Sequence, residues 1–141
     1  MNVRWMVLPV LLVAGLELGA AAQGAALGQQ VEAHAQLEVR STYSMRALRL
    51  ASGTELREYV APAGVIFAIA WSGPTLPDLR TYLGSHFREF QAAAREVKRR
   101  GPLDVHAGPL VVENSGHMRD FHGRAYLEDA LPEATTAAVI E

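Results

Sequence analysis

Every position from Val65 to Trp71 is apolar. A strand that is apolar on both sides belongs near the centre of a sheet. Alternation puts Val65, Phe67, Ile69 and Trp71 on one side. The smaller set Ile66, Ala68 and Ala70 falls on the other, where a neighbour can approach closely. Upstream, Tyr43–Leu50 reads as a strand, with Tyr43 and Met45 in one parity and Leu48 and Leu50 in the other. That switch predicts a bulge near Ala47-Leu48. Thr54–Val60 follows as a second strand, with Leu56 and Val60 on one side. Ser52-Gly53 and Pro62-Ala63-Gly64 supply the turns between strands, since Pro presets φ and Gly tolerates positive φ.

After Ser72-Gly73-Pro74 the period changes. Leu79, Leu83, Phe87, Phe90, Ala94 and Val97 recur at steps of three and four, the stripe of an amphipathic helix. The pattern predicts a helix over Thr75–Arg100, with Thr75 as N-cap and Asp78 at the capping-box position. Lys98-Arg99-Arg100 then lies at the end where cations are favoured, and Gly101-Pro102 stops the helix. Beyond it, Pro109–Glu113 and His117–Leu127 read as a second hairpin, turning at Asn114-Ser115-Gly116 and bent at Gly123. The predicted fold is therefore α+β. A mainly antiparallel sheet of about five strands, in the order three strands, helix, two strands, packs one face on the long helix. This domain spans 43–131. The Ala/Gln-rich segment 23–42 has no clean stripe and is expected to be weakly ordered, and 132–141 is a short tail.

The N-terminus has a separate logic. Arg4, the apolar run Trp5–Leu16 and the small residues Gly19–Ala22 follow the layout of a secretory signal peptide. The run is shorter than a spanning helix needs and contains Pro9. A signal over 1–22 implies cleavage before Gln23, with an end at 26 as the alternative. The expected product is exported, to the periplasm or the medium, without stable membrane insertion. Cysteine is absent, which excludes disulfides, thiol nucleophiles and zinc–thiolate sites. The formal net charge of −2 lacks the basic excess of a nucleic-acid binder.

The chemistry-bearing residues are sparse. Glu113, His117, Asp120 and His122 have the side chains of a metal site. Read along a single strand, His117 and His122 have opposite parity and point apart, so no metal is expected, and no cofactor. Ser115, His117 and Asp120 are neighbours on one turn, where a catalytic triad does not converge. No Gly-x-Ser-x-Gly elbow and no phosphate loop occurs. His86 sits beside the helix stripe as a boundary residue. The best binding rim is Trp71 with Pro74, where an aromatic ends the most apolar strand beside a Gly-Pro loop. His117 and Arg119 on the hairpin complete the candidate contact surface.

Three stretches resemble one family. They are Arg57-Glu58-Tyr59-Val60 with Gly64 and Phe67-Ala68; Trp71–Pro74 with Pro77–Arg80 and Leu83-Gly84; and Gly116–Arg119 with Phe121 and Gly123-Arg124-Ala125. Gly101-Pro102-Leu103 sits between them. In this order they resemble the domain-of-unknown-function family 2844, small exported bacterial proteins. Leu27-Gly28 is similar to that family's mature start. The resemblance implies export and a shared fold, and no activity. Two functions follow as expectations. The first is a non-catalytic module binding a protein or cell-envelope component. The alternative is a small hydrolase using His117 with a nearby carboxylate.

Overall fold

The computed structural model describes residues 24–30, 38–39, 42–97 and 101–141. The expected signal at 1–22, the Lys98-Arg99-Arg100 cluster, and residues 31–37 and 40–41 of the N-terminal segment lie outside the described residues.

One antiparallel sheet carries the molecule. Its strands are β1 (Glu38–Val39), β2 (Ser44–Arg49), β3 (Glu55–Val60), β4 (Ile66–Gly73), β5 (Leu103–Ala107), β6 (Leu110–His117) and β7 (Asp120–Leu127). They lie in the order β1-β2-β3-β4-β7-β6-β5. The α+β class is as expected. The sheet has six full strands plus the two-residue β1, where the pattern predicts about five. The strand passed over in the sequence is β5. Val105 and Ala107 are buried while Asp104 and His106 face solvent, which is the period of a half-buried strand.

The apolar β4 is central, between β3 and β7. Its faces are not the simple alternation, because Val60 pairs with Ile66 and Tyr59 with Ala68, leaving Phe67 as an extra residue. This bulge turns Phe67 to the side of Ala68 and Ala70, and Ile66 to the side of Ile69 and Trp71. In a run where every residue is apolar, the pattern carries no mark of that shift. The bulge expected in β2 is absent, since β2 and β3 pair without interruption from Ser44–Val60 to Arg49–Glu55. The parity switch has another cause. Leu48 packs under the helix while Met45 and Tyr43 pack on the opposite face, and both faces are covered.

The helical run covers the first face. It comprises α1 (Leu79–Leu83), a 3-10 turn at Gly84–His86, and α2 (Phe87–Glu96), eighteen residues in all. It is shorter than predicted at both ends, since α1 starts only at Leu79 and Val97 after α2 already has extended backbone. Asp78, not Thr75, is the N-cap, accepting from the Arg80 N–H at 3.1 Å and the Thr81 hydroxyl at 2.6 Å. The Thr81 hydroxyl, first among these contacts, holds the Asp78 carboxyl below its ordinary range. Thr75 is used elsewhere, with its carbonyl accepting from the Thr54 hydroxyl at 2.7 Å. Leu83 and Phe90 of the predicted stripe are buried, and Leu79, Phe87, Ala94 and Val97 pack against the same core.

Two terminal segments are tied in more firmly than their composition suggests. Ala26 and Leu27 are buried, Leu27 at 3 % exposure. The Leu27 N–H donates to Tyr82 O, while Gly28 and Gln29 exchange main-chain bonds with Ile66. The segment Gly24–Gln30 thus fills a seam between helix and sheet. At the other terminus, residues 131–141 cross the second face of the sheet, and Ile140 is 1 % exposed against Tyr59, Phe67, Ala68 and Ala70. No helix among the described residues is long and apolar enough to cross a membrane.

Candidate functional site

The second face of the sheet is where polar side chains converge. The ladders place Arg57, Ala70, Arg124, Glu113 and Asp104 in one row across β3, β4, β7, β6 and β5. The next row toward the end of the sheet is Glu55, Ser72, His122 and Ser115. Ala70, between the two arginines, is buried in the cluster that holds Ile140. Arg57, Ser72, Asp104, Glu113, Ser115, His122 and Arg124 of these rows, with Ile140 and Glu141, line an open groove of about 640 Å³, within the ordinary size range of ligand sites.

Its charges are paired in advance. Arg124 Nε donates to Glu113 Oε2 at 2.5 Å, and this bond, more than any other contact, raises the guanidinium pKa above its ordinary value. Arg57 Nε donates to Glu55 Oε1 at 2.9 Å. His122 Nδ1 lies 3.5 Å from Asp120 Oδ1, both largely exposed. Two arginines so neutralised make a poor anion trap and a good set of fixed donors.

Of the four residues singled out in the sequence, Trp71 lines this groove, while Pro74, His117 and Arg119 are not among its lining residues. Trp71 is 3 % exposed and its side chain lies on the helix side. The indole crosses Gly123 to donate from Nε1 to Asn114 Oδ1 at 3.0 Å. A Cβ at Gly123 would sit 2.5 Å from Trp71 Cζ2, so glycine is required there by close approach, and β7 runs through it unbroken. Pro74 is half-buried beside the Gly53 turn. His117 and Arg119 are exposed. Gly73, Phe121 and Gly116 share a row, which brings the Ser72–Pro74 loop and the β6–β7 hairpin to the same end of the sheet.

The hairpin corrects two expectations. β6 continues through Asn114-Ser115-Gly116, and the chain reverses at Met118-Arg119, both with positive φ of 52° and 71°. Asn114 is occupied with the indole, and Gly116 lies against the Asp120 backbone, so the apparent turn signal serves strand packing. The two-residue turn also puts His117 and His122 on different strands. In the observed register, Glu113, Ser115, His117, Asp120, His122 and Arg124 all share one face. The premise that the two histidines point apart is therefore overturned. Among the described residues, no three His, Asp or Glu side chains are grouped to hold a metal ion.

Sequence reasoning passed over a fully buried ionisable group. Glu58 is fully buried on the helix face between Leu56 and Val60. Arg46 Nε donates to its Oε2 at 2.8 Å. Its Oε1 makes no well-formed hydrogen bond among the described residues, and the Ala25 main-chain N–H gives the carboxylate only a minor favourable contact. Gly24 presses against that oxygen and against Tyr82, leaving no room for a Cβ. Burial raises the Glu58 pKa above its usual value, opposed chiefly by Arg46. Burial, then the Glu58 charge, raises that of Tyr82. The shared parity with Leu56 and Val60 was the signal that could have found it.

No curated protein and no solved structure matches this chain. One family model does, over residues 14–140, under the description "Protein of unknown function (DUF2844)". The match takes in the sheet, the helical run, the hairpin and nearly all of the tail, and the chain belongs to that family.

Proposed function

We propose that this is an exported, non-catalytic module that binds a protein or cell-envelope component through the groove on the second face of its sheet. The observation that carries the reading is the groove itself. It is open and sized for a ligand. It is ringed by donors whose charges are already balanced by Glu55 and Glu113. Such a site binds without needing a counter-charge from its ligand. Export is supported by the order of Arg4, the apolar run and Ala20–Ala22. The periplasm or the medium is the compartment that this order implies.

The test joins the two parts. Cell fractionation with intact mass checks export, a mature start near Gln23 or Leu27 being the expected result. Affinity capture from the cell envelope then compares wild type with Ser115→Trp, which fills the groove, and Arg88→Glu on the exposed helix surface. Partners lost with Ser115→Trp and kept with Arg88→Glu support the reading. Equal capture by all three would place binding elsewhere.

The hydrolase alternative shifts its residue. His117 has no ion pair among the described residues, whereas His122 has Asp120 at 3.5 Å and Ser72 as its cross-strand neighbour. Turnover abolished by His122→Ala in a folded protein would favour that chemistry over binding.

A further inference from the structure

The C-terminal segment shows what the groove accepts. Arg57 Nη1 donates to the main-chain oxygen of Glu141 at 2.7 Å. Arg124 Nη1 donates to the carbonyls of Ala137 at 2.8 Å and Ile140 at 3.3 Å. The Tyr59 hydroxyl both donates to Glu141 O and accepts from Glu141 N–H, each at 3.0 Å. Every one of these bonds reads the main chain and none reads a side chain. The buried side chain of the segment is Ile140, in one cluster with Tyr59, Phe67, Ala68 and Ala70, and Ala137 packs at its edge. The tail joins no ladder of the sheet, and in it Ala134 holds a positive φ of 60° that glycine would adopt more easily. Ile140 and Glu141 are at the same time part of the wall of the open groove.

We infer that the groove receives a turn-forming polypeptide segment of a partner protein, with a branched apolar residue at the Ile140 position, and that Ala137–Glu141, with its 3-10 turn over Ala137–Val139 and its groove wall at Ile140 and Glu141, is the resident segment it displaces. Arg124 reaches two main-chain oxygens three residues apart because Ala137–Val139 is a 3-10 turn, so an incoming segment with the same turn makes the bonds the tail gives up. The pre-paired charges explain the lack of demand for an acidic or basic sequence. The tail lowers the apparent affinity for outside segments by the fraction of time it occupies the groove. The inference rests on the binding reading above and names its ligand class.

A labelled peptide spanning Pro132–Glu141 is the probe, titrated into the exported protein and into its Ile140→Ser variant. The expected result is weak binding by wild type and binding at least about tenfold tighter by the variant, since removing the anchor frees the groove. A peptide carrying Asp in place of Ile140 should bind neither. No binding to either protein, with the variant still melting cooperatively, overturns the inference. Should the variant fail to fold, hydrogen exchange on wild type decides. Ile140 and Glu141 amides exchanging well ahead of Ile69 and Ala125 support a releasable tail, and exchange at one common rate overturns it. Peptide failure with groove-dependent envelope capture intact removes this occupant and leaves the binding reading. Capture indifferent to Ser115→Trp removes the binding reading instead.

Discussion

Glu58 is the residue at which the chain departs furthest from a simple apolar core. A buried carboxylate with one oxygen paired to Arg46 and the other held only weakly is costly, because desolvation can exceed the attraction of the pair. Its raised pKa fixes the sign of the pH dependence. The folded state holds the proton more tightly than the unfolded chain. This contribution to stability is therefore full below the ordinary value of 4.5 and is lost as pH rises through the higher folded value. Glu58→Gln removes that titration. Melts across pH 4–8 should show the variant gaining on wild type as pH rises, and a gain that shrinks with pH would mean that Arg46 dominates burial. The sequence held the clue in Leu56, Glu58 and Val60 sharing a parity. The weakly held oxygen was hidden, because it depends on Gly24 arriving from a distant segment. Trp71 teaches the same lesson in reverse. Its place at the end of β4 was readable, whereas its route over Gly123 to Asn114 depends on β6 and β7 lying beside it.

Among the elements, the helical run was the most legible, since a stripe at steps of three and four needs no partner to be recognised. Its N-terminus was not, because Asp78 and Thr75 both suit a cap and only the Thr54 contact takes Thr75 away. β5 shows a different failure. Leu103, Val105 and Ala107 alternate cleanly, but Gly101-Pro102 and Gly108-Pro109 made so short a span look like loop. The hairpin was found with its turn misplaced by three residues of strand. Met118 and Arg119 occupy the left-handed positions of a two-residue turn that favours Asn-Gly, and Met118 is 90 % exposed. Each pays a conformational cost that glycine does not. Met118→Asn with Arg119→Gly should raise stability by about 1 kcal/mol, read by chemical denaturation. An unchanged or lower midpoint would show that the turn is not strained as its φ values indicate.

For the whole molecule, the governing feature is a sheet buried on one face by a helix and closed on the other by its own tail. The α+β layering followed from periodicity alone. The second layer did not, because the tail has no repeat and attaches through the buried Ile140, the partly buried Leu131 and Ala137, a Thr135–Thr42 hydroxyl bond and main-chain bonds. The small-residue face of β4 was visible in Ala68 and Ala70, and the tail is what approaches there. The groove was invisible in the sequence because Arg57, Ser72, His122 and Arg124 belong to three strands and meet only in register. The central claim is that this groove is the contact surface. The most direct measurement is site-specific photo-crosslinking in intact cells, with a photoreactive residue at Ser115 in the groove or at Arg88 on the exposed helix surface. Discrete adducts from Ser115 and none from Arg88 are the predicted result. Adducts from Arg88 with none from Ser115 would contradict the account.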